Sequence, residues 1–160
     1  MEKSDRNLME ERIALVRSRM EAAAKAAGRD PEEILLCAVS KTQSDVTVAM
    51  SADLDVDCFG ENHMQELVAH AAADAYKGKP VHFIGHLQTN KVRKVVGLAT
   101  LIQSVDSLRL LEAIEKEAAK QGIVQDILLE VNVAGEESKG GIRVAELPAL
   151  AQLEIGRAHV

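Results

Sequence analysis

Residues 34–42 read Ile34-Leu35-Leu36-Cys37-Ala38-Val39-Ser40-Lys41-Thr42. A short apolar run is stopped by three polar residues. That length and those flanks predict a strand buried on both faces. The pattern recurs along the chain. Val56-Asp57-Cys58-Phe59-Gly60 ends at Glu61-Asn62, and Val81-His82-Phe83-Ile84-Gly85 ends at His86. Leu101-Ile102-Gln103-Ser104-Val105 ends at Asp106, and Ile127-Leu128-Leu129-Glu130-Val131-Asn132-Val133 is the fifth run. Helical patterns fill the intervals at 44–52, 63–77, 88–97 and 107–121. An N-terminal helix is expected over 5–27, with Gly28 as its C-terminal cap. A Gly/Ser/Lys loop at 135–141 leads to a last helical stretch from about Val144.

Strands alternating with helices imply a parallel sheet with crossover helices. No Gly-x-Gly-x-x-Gly follows the first strand, and no Gly-x-x-x-x-Gly-Lys occurs anywhere. Both common nucleotide-binding forms of the doubly wound sheet are thereby weakened. The expected fold is α/β, a (β/α)8 barrel of the TIM type with only about five of its eight units present.

The chain has 160 residues, enough for one domain or part of one. Its hydrophobic content of 47% can build a core. The net charge of -6 and an aromatic content of 2% argue against a nucleic-acid partner. No apolar run is long enough to cross a membrane, and the charged N-terminus lacks a signal-peptide pattern, so a cytoplasmic location is expected. Cys37 and Cys58 fall in strand-like runs and read as buried thiols of a reducing compartment. His63, His82 and His86 have no Cys or Asp completing a familiar metal spacing, so no metal site is expected.

Polar residues gather at the strand ends: Ser40-Lys41, Glu61-Asn62, His86, Ser104 with Asp106, and Asn132. In a parallel barrel these ends converge on the face that carries active sites. A lysine held there can condense with an aldehyde. On spacing alone it is more ordinarily a solvated strand terminus. Lys91, Arg93 and Lys94 read as a solvated helix face.

Ala38-Val39-Ser40-Lys41-Thr42, Phe59-Gly60-Glu61-Asn62 with Gln65-Glu66, and His82-Phe83-Ile84-Gly85-His86-Leu87-Gln88-Thr89-Asn90-Lys91 occur in order. Ser104-Val105-Asp106 follows, then Val131-Asn132-Val133 with Ser138-Lys139-Gly140-Gly141-Ile142. Together these stretches resemble the pyridoxal phosphate homeostasis protein family, whose fold is similar to the N-terminal barrel of alanine racemase. The resemblance implies that Lys41 carries pyridoxal 5'-phosphate as an internal aldimine, with Asn62 and Asn132 as pocket residues. Glu61, His86 and Ser104 are further candidates for cofactor binding. Gln88, Asn90 and Lys91 match the motif and serve equally well in capping the next helix. The Gly140-Gly141 pair reads as a turn needing positive φ.

Such proteins are regarded as carriers of the cofactor, releasing it by transimination to pyridoxal phosphate-accepting enzymes without established turnover. The alternative is a racemase or aldolase on the same barrel, for which His86 is the obvious base. The family's phosphate-binding loop is expected beyond residue 160. Residues 1–153 are expected to be a partial cofactor-binding domain, and residues 154–160 a non-native tail that breaks the helical pattern.

Overall fold

The computed structural model describes residues 3–136 and 140–155. The N-terminal helix α1 spans Lys3–Ala26. Then come β1 (Cys37–Val39), α2 (Asp45–Ala52), β2 (Cys58–Glu61), α3 (Met64–Ala72), β3 (Val81–Phe83), β4 (Leu101–Val105), α4 (Leu108–Gln121) and β5 (Asp126–Leu129). Strands β1 to β5 form one sheet in chain order, and every pairing is parallel. This is the expected partial barrel of consecutive β/α units.

Side-chain alternation gives the sheet two unlike faces. Phe59, Phe83 and Ile102 point to the helix layer and are each almost wholly buried. There they join Val48, Leu67, Leu110 and Ile114 from the helices in a single core. Helix α4 shows why its sequence forms it. Ser107 caps its N-terminus by accepting from the Leu110 N–H, and Leu110, Leu111, Ile114 and Ala118 make one buried stripe. On the other face lie Cys37, Val39, Gly60 and Ile84. A Cβ built on Gly60 would sit 3.0 to 3.6 Å from side-chain atoms of the other three. Helix α1 is fastened by Arg17, which reaches Asp55 at 3.1 Å and Asp57 at 2.7 Å.

Several boundaries depart from the sequence reading. The helix expected over 63–77 ends at Ala72, because Asp74 and Lys77 adopt positive φ in the turns that follow. The stretch 88–97 forms a short 3-10 helix, Thr89–Lys94, rather than an α-helix. Thr89, Val92, Val95 and Val96 are β-branched and weak in α-helices. The first strand contracts to Cys37–Val39.

The run expected as one strand over 127–133 serves two neighbours. Its first part, β5, pairs with β4, and Val131–Asn132 (β6) pairs in parallel with Ile142–Arg143 (β7). Helix α5 then spans Leu147–Ile155 and inserts Leu150 into the core. Glu154 and Ile155 continue that helix, and residues 156–160 of the expected tail lie outside the described residues. Ser138 and Lys139 of the expected loop also lie outside them. Gly141 has φ 110, whereas Gly140 is not among the positive-φ glycines. Among the described residues, no helix is long and apolar enough to cross a membrane.

Candidate functional site at the carboxyl ends of the strands

Lys41 follows β1 by two residues and is exposed. The backbone around it is fixed on both sides. Ser40 is buried, its N–H donates to the Gly60 carbonyl at 3.0 Å, and its hydroxyl donates to Glu61 Oε1 at 2.6 Å. The Gln43 N–H closes a turn on the Ser40 carbonyl at 3.1 Å. Thr42 sits at φ 63, an uncommon conformation for a β-branched residue. Its N–H is held by Glu66 Oε1 at 2.8 Å. Backbone held in such a conformation by its surroundings is frequent where a side chain must be presented in one orientation.

Glu61 is fully buried on the same side of the sheet as Phe59. Its Oε1 also accepts from the Tyr76 hydroxyl at 3.0 Å and lies 2.7 Å from His70 Nδ1. His70 Nε2 in turn lies 3.2 Å from the Gln43 carbonyl. A buried carboxylate is costly unless paired, and here the partners include the turn that carries Lys41. Burial, reinforced by the Glu61 carboxylate, pushes the Tyr76 phenol well above its usual range. Tyr76 therefore stays a donor at neutral pH. His70 and Tyr76 escape a reading of strand ends alone. The signal for them is parity: Glu61 lies two residues after Phe59 on a strand, so it must share the helix-facing side.

The other candidates divide into groups. Asn62 and His86 line one cavity of about 290 Å³ with Met64, Phe83 and Leu87. Asn62 Oδ1 is buried there without a hydrogen-bond partner. Its backbone is fixed by Gly85, where an added Cβ would fall 2.1 Å from the Asn62 carbonyl oxygen. Only glycine allows β2 and β3 to meet so closely at this end. His86 is exposed, with Nδ1 3.3 Å from Asp106 Oδ2. Ser104 is buried, and its hydroxyl has no partner among the described residues. It falls where the β4–β5 register slips between Ile102 and Val105. Asn132 spans a turn: its amide donates to the Glu136 carbonyl at 2.8 Å and accepts from the Gly135 N–H at 2.9 Å.

At these strand ends Lys41 is exposed and Lys91 lines the cavity of Asn62 and His86, while Asn62 Oδ1 and the Ser104 hydroxyl, like Glu61 Oε2 and Glu66 Oε2, are buried without a hydrogen-bond partner among the described residues. A primary amine at such a rim can condense with an aldehyde.

The family described as "Alanine racemase, N-terminal domain" matches residues 12–158. A pyridoxal phosphate homeostasis protein of Aquifex aeolicus is 39% identical over 150 residues, covering 94% of this chain and 66% of that protein. The chain thus spans less than two thirds of that relative's length. A crystal structure of an unknown protein from Bifidobacterium adolescentis superposes with TM-score 0.85 at 34% identity, covering 95% of this chain and 66% of that one. PipY of Synechococcus elongatus, solved with pyridoxal phosphate bound, gives TM-score 0.68 at 32% identity, covering 84% and 64%.

Proposed function

We infer that this chain, which belongs to the alanine racemase N-terminal domain family, binds pyridoxal phosphate through Lys41 and maintains its supply to acceptor enzymes. The observation that carries this reading is the presentation of Lys41. The residue before it is bonded to a buried carboxylate, and the residue after it is held at positive φ. The name and bound cofactor of relatives at 39% and 32% identity support the same assignment.

When bound, the cofactor supplies an aldehyde that condenses reversibly with primary amines, so an incoming amine can displace a lysine and remove it. This chain's own residues hold and orient. Lys41 offers the amine, and Ser40, Glu61, His70 and Tyr76 fix the turn that carries it. Asn62 and Ser104 offer buried polar atoms to the ring substituents, and His86 with Asp106 stands at the open side. Asn132 contributes by shaping the 132–136 turn. The role proposed is storage and delivery without turnover, in the cytoplasm.

Borohydride trapping followed by peptide mass mapping tests the reading. Cofactor is expected on Lys41, and Lys41→Ala should lose the trapped product. Unchanged trapping stoichiometry in that variant would overturn the assignment. Racemisation of added amino acids by the loaded chain would overturn the absence of turnover.

A further inference from the structure

Three residues that the cofactor site does not use lie together on the inner face of the sheet. Cys37 and Cys58 are direct register partners across β1 and β2. His82 is one strand further on, opposite Gly60 on β2. One ligand atom from each of the three lies within 4.8 Å of the others. Cys58 Sγ and His82 Nδ1 are 3.8 Å apart. A tetrahedral zinc with Zn–S of about 2.3 Å and Zn–N of about 2.0 Å sets sulfur and nitrogen roughly 3.5 Å apart. The Cys58–His82 pair is already close to that geometry, and Cys37 lies within reach of both.

We propose that Cys37, Cys58 and His82 form a binding site for one thiophilic divalent cation, of the zinc and cadmium class, with a fourth position open to water. Two thiolates and an imidazole are the donor set that such borderline-soft ions prefer over oxygen-seeking ones. The imidazole is already suitably arranged. Nδ1 lies 2.9 Å from Gln103 Nε2, so its lone pair accepts on the side that faces the sulfur. Burial also lowers the His82 pKa, which favours the neutral ring that binds metal. Binding breaks two S–H bonds and forms two S–metal bonds and one N–metal bond. The two protons pass to solvent, Gln103 gives up its hydrogen bond to Nδ1, and nothing is oxidised. Cys37 and His82 are half-buried and Cys58 is buried. The bound ion would tie β1, β2 and β3 together across their inner face.

The reduced, metal-free full chain titrated with cadmium tests the site through thiolate-to-metal charge-transfer absorption. One equivalent should saturate the band, and Cys58→Ser should lose it. His82→Ala should keep a band that needs more cadmium to saturate. If the serine variant fails to fold, alkylation of the parent chain gives a second readout: cadmium should protect Cys37 and Cys58 together. An absent band, a band unchanged in Cys58→Ser, or protection of one cysteine alone would overturn the proposal. Cofactor trapping at Lys41 is measured separately, so failure of either site leaves the other standing.

Discussion

Phe59, Phe83 and Ile102, on the helix side of the sheet, are 1%, 1% and 0% exposed, whereas Val39 and Leu128, on the opposite side, are 50% and 51% exposed. The same strands supply both sets by alternation. Apolar burial stabilises in proportion to the area removed from water. Within this chain the helix side therefore supplies most of the apolar burial. Two cysteines and a histidine collect on the inner face. The rim draws on both sides, because Lys41 is presented to solvent by a network anchored in the core.

The most direct way to break this comparison is to truncate one side chain on each face. Phe83→Ala should destabilise by about 3–5 kcal/mol, as large cavities in cores do. Leu128→Ala should stay within about 0.5 kcal/mol, like other substitutions at exposed positions. Urea midpoints measure both, and equal shifts would mean that the two faces contribute alike. A smaller effect is expected at the link between core and rim. Ser40→Ala removes one of the hydrogen bonds on the buried Glu61 carboxylate, which should cost about 1.5–3 kcal/mol. It should also slow trapping at Lys41, whereas Ile114→Ala, which opens a cavity in the α4 core, should not below its melting temperature. Stability without any change in trapping rate would separate the network from Lys41.

The smallest effect is in pH, where His82 and Tyr76 should respond at opposite ends of the scale. On the inner face, burial lowers the His82 pKa from 6.5. The unfolded chain then takes up a proton that the folded chain refuses. In chelator-treated protein the stability from His82 should be full above pH 6.5 and decline on acidification below it. On the helix side, Tyr76 keeps its proton above its ordinary pKa of 10.0. Its contribution should be full below that value and decline as pH rises further. Melting temperatures across pH should show both slopes. His82→Asn should flatten the acid one, and Tyr76→Phe the alkaline one.

The order of elements and the polar ends of the strands are legible in the sequence, because short apolar runs and their stops are local signals. Lys41 stands at one of these stops, but spacing alone reads it as a solvated terminus and only the family resemblance singles it out. The alanine-rich stretch after Met64 overstates its helix, since composition cannot register the left-handed turns at Asp74 and Lys77. Glu61 and Asn62 are adjacent in sequence and look like one pocket pair, yet Glu61 is sealed in the core with His70 and Tyr76, whereas Asn62, just past the end of β2, lines the cavity beside His86. The Cys37, Cys58 and His82 cluster is hidden from spacing rules altogether. Only the parallel register of three strands brings residues from three separate β/α units to one spot.

That strand order also bears on how the molecule assembles. Every partner in the main sheet follows its neighbour by roughly twenty residues, and none waits for a distant segment. Contacts of such modest sequence separation favour sequential accretion, with each unit docking on the edge left by the previous one. A nascent chain leaving the ribosome could therefore order β1 through β3, with the turn that displays Lys41, before β5 has been translated.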